Sequence, residues 1–134
     1  MAKKEFTYRG KTLQELQEMS LSDFALLANS RARRVIARGF DKNLLKKIGA
    51  ARELARQGKE QKPIRTHLRD AVIIPAMVGL RMALHRGNTF EIFDVKPEML
   101  GHYLGEMVLT RKKLMHGKAG IGATKSSTAI TARG

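Results

Sequence analysis

The chain has 134 residues, no cysteine, no tryptophan and a formal net charge of +14. The missing cysteine excludes a disulfide framework, a cysteine-based zinc site and a thiol nucleophile, and it suits a reducing, cytoplasmic setting. No apolar run is long enough for a transmembrane helix, and no apolar segment follows the charged start at Met1 to Glu5, so a signal peptide is not expected. At this length one domain is expected. Its core is built mainly from Leu, Ile, Val, Met and Ala, because aromatic residues make up only 5% of the chain.

The charge is unevenly placed. Residues 1–30 are neutral overall, residues 31–70 carry thirteen basic and four acidic side chains, residues 71–106 are net −1, and residues 107–134 carry six basic and no acidic side chains. A near-neutral middle bracketed by two basic segments points to a large polyanion as partner, most commonly nucleic acid.

In chain order, Thr12 and Glu15 form a capping-box pattern ahead of Leu13, Leu16 and Met19, which predicts a short amphipathic helix. Ser20 or Ser22 starts a second helix carrying Phe24, Leu27 and Ala28. Ser30 to Arg38 has helical propensity and ends at Gly39. Asp41 is a plausible N-cap for a longer helix running to about Gln57, with Gly58 just beyond it. The apolar stripe of that helix is Leu44, Leu45, Ile48, Ala51 and Ala55, with Leu54 at its edge. Lys59 to Pro63 reads as a linker, and Pro63 and Pro75 argue for extended or irregular chain between them. From residue 79 the pattern alternates. Leu80, Met82 and Leu84 oppose Arg81, Ala83 and His85, and Glu91, Phe93 and Val95 oppose Phe90, Ile92 and Asp94. Gly87-Asn88 between these runs is a two-residue hairpin signal. Pro97 and Glu98 open a short helix that stops near Gly101. From His116 onward Gly, Ala, Ser and Thr dominate, so an extended basic tail is expected.

Residues 85–111 carry Gly87-Asn88, Val95, Leu100-Gly101-His102, Leu104-Gly105-Glu106-Met107 and Thr110-Arg111. Upstream stand Pro63-Ile64-Arg65-Thr66, Pro75 and Met77-Val78-Gly79-Leu80. Together these elements closely resemble the small-subunit ribosomal protein S-nineteen family. The tail, with His116-Gly117-Lys118 and Gly120-Ile121-Gly122-Ala123-Thr124-Lys125-Ser126-Ser127, and the helical N-terminus resemble its archaeal and eukaryotic branch. Arg86 departs from the pattern, where the family usually has a small polar residue. The resemblance implies a component of the small-subunit head that binds rRNA, neighbours the S-thirteen ribosomal protein and reaches toward tRNA and the decoding region with its tail.

The expected fold is α+β. It has a helical N-terminal half, a small antiparallel sheet on a hairpin at about 79–95, a short helix after Pro97 and an extended basic C-terminal tail. Residues 1–114 are expected to form one rRNA-binding domain, mainly helical over 1–58 and with the family core over 63–111, followed by the Gly-rich tail at 115–134. The candidate RNA contacts are Arg31, Arg33, Arg34, Arg38, Lys42, Lys46, Lys47, Lys62, Arg65, Thr66, His67, Arg69, His102, Arg111, Lys112, Lys113, Lys118 and Lys125. Guanidinium matches phosphate bidentately and lysine acts as a point charge. For His67, an RNA hydrogen bond, stacking on RNA and a local structural role all remain open.

No cofactor, metal or enzymatic activity is expected. The four histidines show no ligand spacing, there is no P-loop, and Gly120-Ile121-Gly122 lacks a strand-to-helix setting. Glu91 and Asp94 fall on opposite faces of their strand, Glu98 suits a helix start, and Glu106 belongs to the family motif. These placements argue against a carboxylate pair for nuclease chemistry. A basic architectural nucleic-acid-binding protein outside the ribosome shares the charge pattern but does not account for the motifs.

Overall fold

Each N-terminal helix begins at a side chain that accepts the N–H groups a helix start leaves unpaired. The computed structural model describes residues 5–113. Helix α1 (Leu13–Glu18) has the expected capping box. Thr12 Oγ1 accepts from the Glu15 N–H at 3.5 Å, and Glu15 Oε2 accepts from the Thr12 N–H at 2.9 Å. Ser20 caps α2 (Leu21–Leu27), Asn29 caps α3 (Ser30–Arg38), and Asp41 caps α4 (Lys42–Arg56). Gly39 at φ 92° ends α3, and Gly58 at φ 68° turns the chain away from α4. Both are left-handed conformations that glycine adopts at low cost. Ala55, expected on the packed stripe of α4, is exposed, because the last turn of that helix runs past the core.

Before α1, a small hairpin pairs β1 (Thr7–Tyr8) with β2 (Lys11–Thr12). Its turn, Arg9-Gly10, has positive φ at both residues, as a twist-matched two-residue turn requires. This pair was not anticipated from the pattern.

The central sheet has the order β3-β4-β5 (Ile64–Thr66, Arg81–His85, Phe90–Asp94). The β4–β5 hairpin is antiparallel, pairing Arg81 with Asp94 and His85 with Phe90. Its turn centres on Gly87-Asn88, with the Arg86 N–H donating to the Thr89 carbonyl at 3.0 Å. β3, expected only as extended chain, joins β4 in parallel and makes the sheet mixed, with Arg65 beside Ala83 and Thr66 beside Leu84.

One sheet face, through Ile64, Met82, Leu84 and Val95, closes on Leu16, Phe24, Ala28, Ala32 and Ile48 from the helices. Between them runs the apolar stretch Ala71 to Met77, of which all but Ala76 is buried. Its backbone is satisfied by the chain after the 3₁₀ turn Pro97–Met99, the short form taken by the expected helix. The Ile73 N–H donates to His102, and the Gly101 and Leu104 N–H groups donate to Ile73 and Ala71. Buried backbone needs such partners, and here a non-sequential segment provides them. The last helix among the described residues, α5 (Leu104–Met107), buries Leu104. No helix among the described residues is long and apolar enough to cross a membrane.

Candidate nucleic-acid interface

The basic residues divide by what their donors already hold. Arg31, Arg34 and Arg38 on α3 and Lys42 and Lys46 on α4 are exposed. Arg31 lies over the Tyr103 ring, 5.5 Å from its centroid, a cation–π contact that ties α3 to the C-terminal part of the fold. Arg33 is exposed too, but its guanidinium folds back along its own neighbours. Its Nε donates to the Ala25 carbonyl at 3.1 Å, and its Nη2 donates to Leu26 and Ala28 at 3.1 and 3.3 Å. These are carbonyls at the end of α2, where no intrahelical donor remains and a cation favours the dipole. The Arg33 side chain therefore caps the C-terminal end of α2.

Arg69 plays a similar part for the C-terminal elements. Its guanidinium donates to the carbonyls of His85 (3.0 Å), Gly105 (2.7 Å) and Val108 (2.5 Å), joining the end of β4 to α5. Thr66 is buried, and its hydroxyl accepts from the Leu68 N–H at 3.1 Å. All three are candidate RNA contacts by sequence, and all three side chains also hydrogen-bond backbone groups of the fold, Thr66 buried, Arg69 half-buried and Arg33 at the surface. In a residue count they cannot be told from exposed donors, because their partners are backbone groups that carry no sequence signal.

Lys47, Lys62, Arg65 and His67 come together where α4 packs on β3. Lys47 Nζ donates to the Arg65 carbonyl at 3.4 Å. Lys47, Lys62 and Arg65 rim a groove of about 590 Å³ whose wall is Ala50, Ala51, Leu54, Pro63 and Ile64. His67 is exposed and stacks on His85 with ring centroids 4.3 Å apart. No hydrogen bond or ring contact among the described residues links this cluster to the arginines of α3. His102 is exposed, and its Nδ1 lies 2.7 Å from Glu106 Oε2. Glu106 Oε1 also accepts from the Tyr103 N–H at the start of α5. Arg111, Lys112 and Lys113 are exposed beyond α5. Lys118 and Lys125, with the rest of the expected tail, lie outside the described residues.

Several acidic side chains are engaged in the fold. Glu15, Asp23 and Asp41 serve helix starts, while Asp94 pairs with Arg81 and Glu91 with Arg86, both at 3.2 Å. Among the described residues, none of the thirteen basic side chains in residues 31–70 forms a salt bridge. These acidic residues support the fold, and the other acids of the basic segment, Glu53, Glu60 and Asp70, form no salt bridge with it among the described residues. The described residues contain no group of three or more side chains suited to hold a metal ion.

Comparison with known proteins identifies the family. Residues 34–116 match the family model described as Ribosomal protein S19. The chain is 54% identical over 123 residues to the small ribosomal subunit protein uS19 from two strains of Halobacterium salinarum, covering 92% of this chain and 88% of each relative. The resemblance read from the motifs therefore holds, and these archaeal relatives are consistent with the archaeal and eukaryotic branch. The chain belongs to the ribosomal protein S19 family, the structural and non-enzymatic components of the small ribosomal subunit.

Proposed function

We propose that the chain binds rRNA in the head of the small subunit of cytoplasmic ribosomes. In this reading, residues 1–114 act as one rRNA-binding domain. The contacts are the exposed cations Arg31, Arg34, Arg38, Lys42, Lys46, Lys47, Lys62 and Arg65 with His67, joined by His102 and by Arg111, Lys112 and Lys113. The chain neighbours the S-thirteen ribosomal protein, and the tail at 115–134, with Lys118 and Lys125, extends toward tRNA and the decoding site. The observation that carries the reading is the absence of any internal salt bridge for the basic segment at 31–70 among the described residues. Such a charge density repels itself until phosphates neutralise it. A-form RNA hides its base edges in a deep major groove, so backbone and shape recognition dominate.

The test is binding of the full chain, and of a chain ending at Leu114, to a transcript of the small-subunit rRNA head domain, with duplex DNA of equal length as competitor and salt varied. Six to ten phosphate contacts make affinity fall by about 10³–10⁵ between 50 and 200 mM salt. Preference for the rRNA that is largely kept without the tail supports the reading and leaves the tail its role at the decoding site. Equal affinity for DNA would instead indicate a generic architectural grip on polyanions.

A further inference from the structure

The sheet face turned away from the core is not a plain solvated surface. The register sets Arg65, Ala83 and Ile92 in one row across β3, β4 and β5, and His85 beside Phe90 in the next. His67 joins that second row by stacking on His85, and it meets Phe90 edge-on at 5.1 Å. The Arg65 guanidinium lies over the Phe90 ring at 5.5 Å. Ala83 is only 2% exposed although it stands apart from the hydrophobic core, so the side chains of this face cover it. Ile92 is 57% exposed in the same row.

Three properties of this cluster differ from those of a phosphate grip. First, phosphates ask only for charge and donors, which the exposed cations of α3 and α4 present, and of these only Arg31 touches a ring among the described residues. Here flat groups and an exposed isoleucine are gathered beside a cation. Second, the acids of the hairpin are already held, Asp94 by Arg81 and Glu91 by Arg86, so Arg65 keeps its charge for an outside partner. Third, His85 is fixed in place, because its Nδ1 accepts the Gly87 N–H at 3.2 Å and its ring contacts both His67 and Phe90, with centroids 4.3 and 5.0 Å away. That leaves His67 and the Arg65 plane as the outermost flat surfaces.

We propose that this face, centred on Arg65, His67 and Phe90 with Ile92 alongside, seats the base of an unpaired RNA nucleotide by stacking. The inference rests on the rRNA-binding reading and sharpens it. A base within a duplex has both faces occupied by its neighbours, whereas an unpaired base offers a free face to aromatic rings and guanidinium planes. The adjacent Lys47 and Lys62 suit the flanking phosphates.

The test uses the full chain, the rRNA head-domain transcript and two substitutions at the exposed His67, with thermal melts to follow the fold. His67→Ala is expected to bind about tenfold more weakly at an unchanged log–log salt slope, because stacking is lost while no phosphate contact is. His67→Phe keeps a flat ring and removes both ring nitrogens, and it is expected to bind within about twofold of the parent. Parent-like binding by His67→Ala would overturn the proposal and leave this face to a protein neighbour. Equal weakness of His67→Phe and His67→Ala would overturn it too, since a hydrogen bond would then be the contact. Failure of the parent chain to bind the transcript would remove the rRNA reading and this inference with it.

Discussion

Arg69 and Gly105 hold each other from both sides: the Gly105 N–H donates to the Arg69 carbonyl at 2.9 Å, and the Arg69 guanidinium donates back to the Gly105 carbonyl at 2.7 Å. The approach is so close that a Cβ on residue 105 would stand 2.9 Å from the Arg69 carbonyl oxygen. Two residues that sequence alone links only as a basic position and a motif glycine are thus one structural joint between β3's extension and α5. Arg69→Lys leaves a single point donor where three carbonyls are served. It is expected to cost about 2–3 kcal/mol, read as a lower urea midpoint at unchanged slope. A lysine variant that unfolds at the parent's midpoint would show that the clamp contributes nothing. Gly105→Ala is expected to destabilise as well, since the obstructing atom is backbone and cannot swing aside.

Neighbouring arginines on α3 should behave in opposite ways. Arg33→Ala strips the end of α2 of its donor to Ala25, Leu26 and Ala28 and is expected to cost about 1–2 kcal/mol of stability. Arg34→Ala touches no described hydrogen bond and should stay within about 0.5 kcal/mol of the parent. Its effect is expected on rRNA binding, where one lost phosphate contact lowers the salt slope by about 1. Thermal melts and salt-dependent titrations on the two variants, made in parallel, check the pair. Reversal of the pattern would place Arg33 at the RNA and Arg34 in the fold.

What was legible in the sequence is what is local. Thr12 with Glu15, Ser20 and Asp41 act within three residues of themselves, so their spacing alone predicts helix starts that the structure contains. Gly87-Asn88 marks its hairpin for the same reason. The parallel pairing of β3 with β4 was not legible. Nothing in Ile64–Thr66 specifies a partner more than a dozen residues on, and three residues are too few for a period. Without that pairing Arg65 and His67 cannot be set beside Phe90 and Ile92, although the alternation of β5 already put Phe90 and Ile92 on one face. The separate tasks of Arg33, Thr66 and Arg69 were hidden for a related reason, because backbone carbonyls and N–H groups exist at every position.

Asp41 offers a way to separate stability from charge. Its carboxylate accepts the N–H groups of Asn43 and Leu44 at 2.7 and 3.0 Å and starts the longest helix of the described chain. Asp41→Ala is expected to cost about 1 kcal/mol, and Asp41→Asn only a few tenths, because asparagine caps nearly as well. Both substitutions remove one negative charge beside a basic surface. Neither is expected to weaken rRNA binding below the midpoint of unfolding, so a titration that shows a loss for Asp41→Asn would assign the carboxylate a direct part in recognition.

Gly101 combines a backbone demand with a packing demand, and the two can be measured apart. Its φ of 78° is left-handed, which costs a residue with a Cβ about 1–2 kcal/mol. A Cβ there would also stand 2.7 Å from the Tyr8 hydroxyl oxygen, with the ring carbon behind it at 3.4 Å. Tyr8 cannot retreat freely, since its half-buried ring packs against Phe24 with centroids 5.9 Å apart. Gly101→Ala is therefore expected to cost more in the parent than in a Tyr8→Phe background, where the clashing oxygen is gone. The double-mutant cycle should give a coupling of about 0.5–1 kcal/mol. Strict additivity would mean that the Tyr8 ring moves without penalty and that only the backbone conformation requires glycine at position 101.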